Sequence, residues 1–333
     1  MKAMLLEFPG PIADRPLKAV ELPPPVPGPG QVLLKLSHCA LCHTDLHLVE
    51  GELPPERLPV IPGHQAVGEV METGPGVTTL HPGDRVGVTW LFRACGVCQL
   101  CLRGREHLCP AAEFTGLHQD GGYGEQMVAD AAFVHPLPRE LPGEVLAPLL
   151  GAGGFGYRAL RRAELRPGQR LGLFGFGSSA HLTLQLARAW GCEVLVFTRS
   201  PEHQELAREL GAAWVGSPQS EPPAPLHAAI LFAPAGALVP RALQALERGG
   251  TLVLAGLFLT AIPTLQFHSH LVHEKTLRGV MGVSRREGRE FLELAARLTL
   301  IPRVQVFPLG EANEALGLLK AGKIKGSAVL AVD

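Results

Sequence analysis

The sequence lacks a long uninterrupted run of apolar residues, and no stretch approaches the roughly 20 residues that span a bilayer. Its first ten residues, MKAMLLEFPG, contain neither the apolar core nor the cleavage site of a secretory signal. It also lacks an excess of charge of either sign, with a formal net charge of −1. We therefore expect a cytoplasmic protein in a reducing compartment, with neither nucleic acid nor a membrane as its partner.

Length and composition predict a soluble globular protein with two domains. A chain of 333 residues is longer than a single hydrophobic core usually supports. Apolar residues make up 46% of the chain and charged residues 18%, which is typical of a folded protein.

Four of the seven cysteines form a C-x2-C-x2-C-x7-C array in the segment ACGVCQLCLRGREHLC, namely Cys95, Cys98, Cys101 and Cys109. Loops with these spacings can wrap four thiolates tetrahedrally around one Zn2+, which leaves no coordination position open. The array therefore predicts a structural zinc site. One alternative is four ordinary buried cysteines. Others are a disulfide framework, which a reducing compartment disfavours, and an iron–sulfur cluster, for which the fourth cysteine lacks the usual ferredoxin context.

The middle of the chain alternates between strands and helices. We predict strands at 170–174, 193–198, 213–215, 227–233, 250–256 and 276–281, and helices at 181–190, 201–210, 236–247 and 284–299. Ser200 and Pro201 are typical of a helix start, and Gly191 is typical of a helix end. Such alternation requires a parallel sheet covered on both faces. The six strands predict an α/β, doubly wound Rossmann-type domain.

A glycine-rich turn joins the first of these strands to its helix. Gly175, Gly177 and Ala180 form the G-x-G-x-x-A pattern of dinucleotide-binding turns, with Ser178 and Ser179 between the second glycine and the alanine. The first glycine would permit a tight turn, and the second would let the backbone approach a pyrophosphate at the helix N-terminus. The pattern favours a dinucleotide cofactor over the alternative, a doubly wound domain that binds none.

The end of the second strand bears on which dinucleotide binds. A carboxylate that binds the ribose of NAD is expected there, about twenty residues after the first glycine. The chain has Thr198, Arg199 and Ser200 instead. A guanidinium beside two hydroxyls suits a 2′-phosphate, so we predict that NADP(H) is preferred over NAD(H). The alternative is that Arg199 is a solvated loop charge.

The N-terminal part has the pattern of a small β-barrel, with short strands at 31–36, 65–70, 84–88 and 125–129 between Gly- and Pro-rich turns. Its segments CHTDLH and PGHQAVGEV contain Cys42 and His64, whose thiolate and imidazole are ordinary zinc ligands. Thr44 and His47 add a hydroxyl and an imidazole that could pass a proton outward. Each residue alone is commonplace, but their combination with the cysteine array and the dinucleotide turn indicates an active site.

These motifs together resemble the zinc-dependent alcohol dehydrogenases of the medium-chain dehydrogenase/reductase (MDR) superfamily, and the resemblance runs from MKAMLLEF to GKIKGSAVL. It implies a GroES-like β-barrel catalytic domain at 1–147 and 283–333, with the Rossmann domain at 148–282 between. It also implies hydride transfer between NAD(P)(H) and a small or medium alcohol, aldehyde or ketone. Homodimers or homotetramers are expected on the same ground.

The resemblance also assigns metal-site roles. Cys42 and His64 would be two ligands of a catalytic zinc that polarises the substrate oxygen. Asp45 would hydrogen-bond His64 and orient it.

Further roles concern the cofactor and the substrate. His43 would lie near the cofactor pyrophosphate. Thr44 would hydrogen-bond the substrate oxygen and pass its proton through the cofactor ribose to His47. Trp90 would form an aromatic wall of the substrate pocket.

Two positions depart from the family pattern. The third zinc ligand of the family is a cysteine in a motif like APLLCAG, whereas APLLGAG in this chain places Gly151 there, and Gln65 stands where a glutamate usually follows the ligand histidine. Cys39 is expected to be a bystander, and Cys192 a small buried apolar residue. Because a catalytic zinc ordinarily has three protein ligands, we predict an empty or partly filled second site that Gly151→Cys would strengthen.

Two other functions are compatible with these residues. One is an MDR reductase that works without catalytic zinc, like the quinone reductases, with Thr44 and His47 handling the proton. The other is a non-catalytic nucleotide-binding protein. Turnover of alcohols and aldehydes would distinguish the last from the enzymes, and inhibition by chelators would distinguish the enzymes from each other.

Overall fold

The structure is a computed structural model that describes residues 1–332. Its strands are β1 (Lys2–Leu6), β2 (Leu17–Glu21), β3 (Gln31–Leu41), β4 (Ala66–Thr73), β5 (Arg85–Val88), β6 (Leu91–Arg93), β7 (Glu113–Phe114), β8 (Gln126–Asp130), β9 (His135–Pro136), β10 (Arg170–Phe174), β11 (Glu193–Phe197), β12 (Trp214–Gly216), β13 (Leu226–Leu231), β14 (Leu246–Leu254), β15 (Thr276–Gly279), β16 (Val304–Pro308) and β17 (Ser327–Ala331). Its α-helices are α1 (His43–Val49), α2 (Gln99–Leu102), α3 (Gly143–Pro148), α4 (Gly154–Ala163), α5 (Ser178–Ala189), α6 (Pro201–Glu209), α7 (Val239–Ala245), α8 (Phe267–His270), α9 (Arg285–Leu298) and α10 (Ala312–Lys320). No helix in this range has the length and apolar character needed to cross a bilayer.

The chain divides into two compact units. The first comprises Met1–Gly154, Gly282–Glu293 and Pro302–Asp333, and the second comprises Phe155–Met281 and Leu294–Ile301. The predicted domain bounds at 147/148 and 282/283 stay a prediction. The boundary between the two compact units lies after Gly154, so α3 and the π-helical turn at Leu149–Gly153 belong to the first unit.

The second unit contains a six-stranded sheet in the order β12-β11-β10-β13-β14-β15, and all its strand pairs are parallel. Counted from β10, this is the 3-2-1-4-5-6 order of doubly wound dinucleotide-binding folds. Phe174 and Phe197 end the neighbouring strands β10 and β11 and stack face to face, with 4.2 Å between their ring centroids. The predicted alternation of strands and helices around a parallel sheet is therefore confirmed.

Local signals located most element ends in this unit. Ser200 is the N-cap of α6, and its hydroxyl accepts a hydrogen bond from the third backbone N–H of the helix. Helix α5 begins at Ser178, three residues earlier than predicted, because Gly177 is its N-cap. The predicted helix at 236–247 was wrong at both ends. It is a 3-10 turn followed by α7, and the chain enters β14 at Leu246 because that residue pairs with Leu226 of β13.

The first unit contains a seven-stranded sheet in the order β16-β17-β3-β4-β5-β9, with β8 also paired to β3. The predicted strands at 65–70, 84–88 and 125–129 correspond to β4, β5 and β8. Strand β3 extends to Leu41, five residues beyond its predicted end, and leads directly into Cys42. Strand β17 pairs antiparallel with β3, so the C-terminal strand completes this sheet beside the start of α1.

Candidate active site and metal centres

The four cysteines of the array converge on one point of the first unit. Their sulfur atoms lie within 4.8 Å of one another: Cys98–Cys101 and Cys95–Cys109 are 3.5 Å apart, Cys98–Cys109 is 3.8 Å and Cys95–Cys101 is 3.9 Å. A tetrahedron with Zn–S bonds of ~2.3 Å has sulfur atoms ~3.8 Å apart. The arrangement therefore fits one zinc held by four thiolates. These separations are too long for a disulfide, whose S–S bond is about 2.05 Å.

Local contacts prepare this loop for a metal. Cys98 is the N-cap of α2, and its sulfur accepts a backbone N–H from that helix at 3.5 Å. The N–H groups of Val97 and Cys98 point at the sulfur of Cys95 and lower the pKa of that thiol to about 6, which favours the thiolate. Buried Glu106 anchors the loop, because its Oε1 accepts both Nε and Nη2 of Arg285 at 3.1 Å.

Helix α1 begins with a capping box built from the CHTD segment. Cys42 is the N-cap, and its sulfur accepts the N–H of Thr44 at 3.2 Å. Asp45 closes the box by accepting the Cys42 N–H through Oδ2 at 2.8 Å. Such boxes normally have Ser or Thr at the cap and Glu or Gln three residues later, so the sequence analysis did not find this helix.

The same carboxylate holds His64, which lies just before β4. Its Nδ1 donates to Oδ1 of Asp45 at 3.0 Å, and its Nε2 lies 3.4 Å from the sulfur of Cys42. Burial alone would lower the pKa of His64, but the Asp45 carboxylate and the Cys42 sulfur raise it well above its usual value. Two ligands of one zinc would have their sulfur and nitrogen ~3.6 Å apart, so Cys42 and His64 fit a shared metal.

The third donor decides how well this group suits a catalytic zinc. Donor atoms of Cys42, Asp45 and His64 lie within 4.8 Å of one another, so the group could hold a metal ion. Both carboxylate oxygens of Asp45, however, already accept hydrogen bonds. Oδ2 accepts the N–H of Cys42, and Oδ1 accepts the Nδ1–H of His64. Gly151, at the third family position, brings no donor and lies in the π-helical turn. A zinc with three protein ligands does not fit this donor set.

Gln65 lies beside Gly151. Its side chain is buried, with 1% of its surface exposed. Its Oε1 accepts the N–H of Ala152 at 2.9 Å, and its Nε2 donates to the carbonyl of Ala40 at 3.3 Å. The amide therefore links the π-helical turn to strand β3.

The glycine-rich turn of the second unit has the geometry that its pattern predicts. Gly175 has φ +89°, and a Cβ added there would lie 2.8 Å from the backbone nitrogen of Ala233. A Cβ added to Gly177 would meet no atom within 4 Å, so the space beside that backbone is open. Ala180 is fully buried against the sheet. Ser178 and Ser179 form the first turn of α5, whose N–H groups can bind an anion.

The end of β11 carries the residues that we associate with the cofactor ribose. Thr198 is buried, and its carbonyl accepts Nε2 of Gln204 at 3.0 Å. Arg199 follows it and is exposed. Ser200 then caps α6. The three residues between β11 and α6 bring a guanidinium and two hydroxyls to this edge of the sheet, and the Ser200 hydroxyl donates to Oε2 of Glu202 at 2.6 Å.

Two family descriptions match the chain: "Alcohol dehydrogenase GroES-like domain" over residues 28–139 and "Zinc-binding dehydrogenase" over residues 180–297. The "Probable alcohol dehydrogenase AdhA" of Mycobacterium tuberculosis is 48% identical, in an alignment that covers 100% of this chain and 97% of the relative. The chain belongs to the zinc-containing alcohol dehydrogenase family. Both the predicted family and the predicted pairing of a GroES-like domain with a Rossmann domain are therefore confirmed.

Solved structures are similar over the whole chain. One is "CAD from Helicobacter pylori complexed with NADP(H)", with a TM-score of 0.90, 26% identity and coverage of 99% of this chain and 97% of that one. Another, described as an "NAD-dependent alcohol dehydrogenase", has a TM-score of 0.91 and 26% identity and covers 100% of both chains. This family member is an oxidoreductase that acts on CH–OH donors with NAD(P), and its neighbours include users of either dinucleotide.

The residues that we predict to handle the proton lie along α1. Thr44 is half-buried in the first turn, and His47 follows it by three residues, on the same side of the helix. Nδ1 of His47 pairs with Oε2 of Glu52. The ring of His43 lies 6.2 Å from that of His47. Glu52 was not predicted, because its carboxylate reaches His47 only through the turn that follows the end of α1.

Trp90 lies beside the metal-binding group. Its ring centroid is 6.2 Å from that of His64 and 4.3 Å from that of Phe114, on which it stacks. An apolar wall next to His64 suits a substrate with an organic side chain. Phe114 was not predicted, since β6 and β7 bring it to Trp90 across the zinc loop.

The two remaining cysteines are Cys39 and Cys192, and both are buried. Cys39 is fully buried in the core of the first unit, where burial raises the pKa of its thiol. Cys192 is also buried, and its sulfur donates to the carbonyl of Arg166 at 3.3 Å. The expectation that neither thiol binds zinc stays a prediction, whereas the predicted burial of Cys192 is confirmed.

Proposed function

We propose that the protein is an NADP(H)-preferring alcohol dehydrogenase and carbonyl reductase with one firmly held zinc per chain. The observation that supports it most is the glycine-rich turn between β10 and α5, where Gly175 and Gly177 leave room for a dinucleotide beside the N–H groups of α5. Hydride moves between the nicotinamide and the carbinol carbon of a small or medium alcohol. Homodimers or homotetramers are proposed by analogy with the family.

The residues of this chain can manage the hydroxyl proton. During oxidation the carbinol carbon loses hydride and its oxygen loses a proton, and the Thr44 hydroxyl can accept a hydrogen bond from that oxygen. The Glu52 carboxylate accepts from Nδ1 of His47, which makes Nε2 the basic nitrogen of that ring. We propose that the proton passes from Thr44 to His47. This proton route uses no metal ligand, and the donor set for a second firmly held zinc is incomplete.

The cofactor preference can be tested at Arg199. A guanidinium–phosphate pair in a partly solvated pocket contributes ~1.5–3 kcal/mol, or about 10- to 100-fold in affinity. We expect wild-type kcat/KM to be higher with NADPH than with NADH, and Arg199→Ala to weaken NADPH use by that factor without harming NADH use. Steady-state kinetics with both cofactors measures the change.

Arg208→Ala is the matched control, because Arg208 is also an exposed arginine but lies at the other end of α6. This substitution should leave kcat/KM unchanged with both NADPH and NADH. A wild-type preference for NADH would show that the argument from the end of β11 is wrong.

The zinc content tests the metal part of the proposal. Purified protein should carry about one zinc per chain, since among residues 1–332 the four-cysteine group alone has a complete ligand set. That zinc should resist chelators, because its removal would unfold the loop that holds it. Elemental analysis before and after dialysis against a chelator gives both results, and two tightly held zinc ions per chain would contradict them.

A second candidate is favoured by the Gln65–Gly151 arrangement: a carbonyl reductase that needs no catalytic zinc. Its activity would survive chelation that removes every weakly held metal. Loss of turnover under the same treatment would favour the zinc-dependent reaction. A complete lack of turnover with alcohols, aldehydes and ketones would leave only nucleotide binding.

A further inference from the structure

Gly151 has no backbone reason to be a glycine. Its φ lies outside the left-handed region, in contrast to Gly175. The segment on either side of it is helical, in the π-helical turn and then in α4. Any residue could adopt this backbone, so the lack of a side chain at 151 must have another cause.

That cause is the side chain of Gln65. A Cβ added to Gly151 would lie 2.5 Å from Cγ of Gln65, and closer still to its Cδ and Oε1. Real Cβ atoms essentially never approach a neighbour within 3.0 Å. The contact is not with the mobile end of an exposed chain, because Gln65 is 1% exposed and its amide is hydrogen-bonded at both ends.

The amide orientation follows from its partners. The Ala152 N–H can only donate and the Ala40 carbonyl can only accept, so oxygen must face Ala152 and nitrogen must face Ala40. Rotation of Gln65 away from Gly151 would break both of these buried hydrogen bonds. It therefore ties the turn that carries Gly151 to the strand that leads into Cys42.

We infer that Gln65 occupies the space of the missing third ligand and takes over its anchoring of the 149–153 turn, so that residues 65 and 151 together determine metal binding at Cys42 and His64. The inference deepens the metal part of the proposed function and rests on it for that consequence. Gln65 is a positioning residue here. Gly151→Cys alone cannot restore a ligand, because its side chain and that of Gln65 exclude each other.

The steric half of this inference is tested without any second metal, by a cycle of Gly151→Ala, Gln65→Ala and the double variant, each loaded with its structural zinc. Gly151→Ala should lower Tm by about 5 °C in the wild-type background, as overpacking in a core does, and by far less in the Gln65→Ala background. If Gly151→Ala costs the same Tm, or the same soluble yield, in both backgrounds, the two residues are not coupled and the inference is wrong.

The metal half is tested by zinc content after identical loading. Gln65→Ala/Gly151→Cys should hold about one zinc more per chain than its control Gln65→Ala/Gly151→Ser, whose hydroxyl is a poor zinc ligand. Gly151→Cys alone should gain much less, and adding Cys42→Ser should remove the gain. Equal zinc in the double variant and its control would overturn the inference.

Wild-type protein separates the two proposals. Two zinc ions in the wild type would refute the proposed metal content. The Tm values of the single and double alanine variants would still test whether residues 65 and 151 are coupled. If one of those two zincs were lost on Gln65→Ala, Gln65 would be a ligand, and the inference would be wrong as well.

Discussion

Replacement of Cys98 by serine is expected to release the zinc of the four-cysteine site and to lower Tm by roughly 8–16 °C. A site loaded at a thousand times its Kd contributes about 4 kcal/mol to the free energy of unfolding, and each kcal/mol shifts Tm by about 2–4 °C in a unit of this size. Cys98 is a strong choice because its sulfur also caps α2 and lies within 3.8 Å of two other array sulfurs. Elemental analysis and thermal denaturation measure both effects.

Cys192→Ser is the matched control. Its sulfur is buried outside the array and donates to the Arg166 carbonyl, a bond that a serine hydroxyl can keep. That variant should keep its zinc and most of its thermal stability. An unchanged zinc content in Cys98→Ser, or an equal loss in Cys192→Ser, would show that the array is not the principal zinc site.

The second large effect is expected at the dinucleotide turn, where two neighbouring glycines should behave in opposite ways. Gly177→Ala should leave Tm of the cofactor-free protein unchanged, because the added Cβ meets no atom within 4 Å. It should weaken NADPH binding by roughly 100-fold, because the Cβ fills the space through which a pyrophosphate approaches the N–H groups of α5, and charged hydrogen bonds of about 1.5–3 kcal/mol are lost.

Gly175→Ala should instead lower Tm before any cofactor is added. Its φ of +89° is unfavourable for alanine, and the new Cβ would press on the backbone nitrogen of Ala233 at 2.8 Å. Titration calorimetry and thermal denaturation of both variants distinguish the two effects. Undiminished NADPH affinity in Gly177→Ala would mean that the pyrophosphate does not approach this backbone.

Features encoded within a short stretch of chain could be predicted from the sequence. The cysteine array spans 15 residues, so its spacing alone predicts that four thiolates can meet. The strands and helices of the second unit were found by their periodicity and their caps, such as Ser200, because burial of one face is written into each segment separately. The pattern around Gly175 and Gly177 could be placed for the same reason.

Features that depend on distant pairing could not be predicted. The helix 236–247 was predicted too long because Leu246 belongs to a strand only through its pairing with β13. Helix α1 was missed because its capping box has a cysteine where Ser or Thr is usual. Glu52 has no local signal that connects it with His47, which it meets only after α1 has ended.

One property of the second metal site could be read from the sequence, and another could be seen only in the tertiary structure. The sequence by itself determined that the cysteine expected as third zinc ligand is absent at Gly151. On that basis alone, Gly151→Cys is predicted to strengthen zinc binding at Cys42 and His64. Only the tertiary structure shows that Gln65 fills the space at Gly151, through a hydrogen bond to Ala152 that joins residues 87 positions apart. The reason is physical: a missing donor is a property of one position, whereas the volume available to a side chain depends on what the fold packs against it.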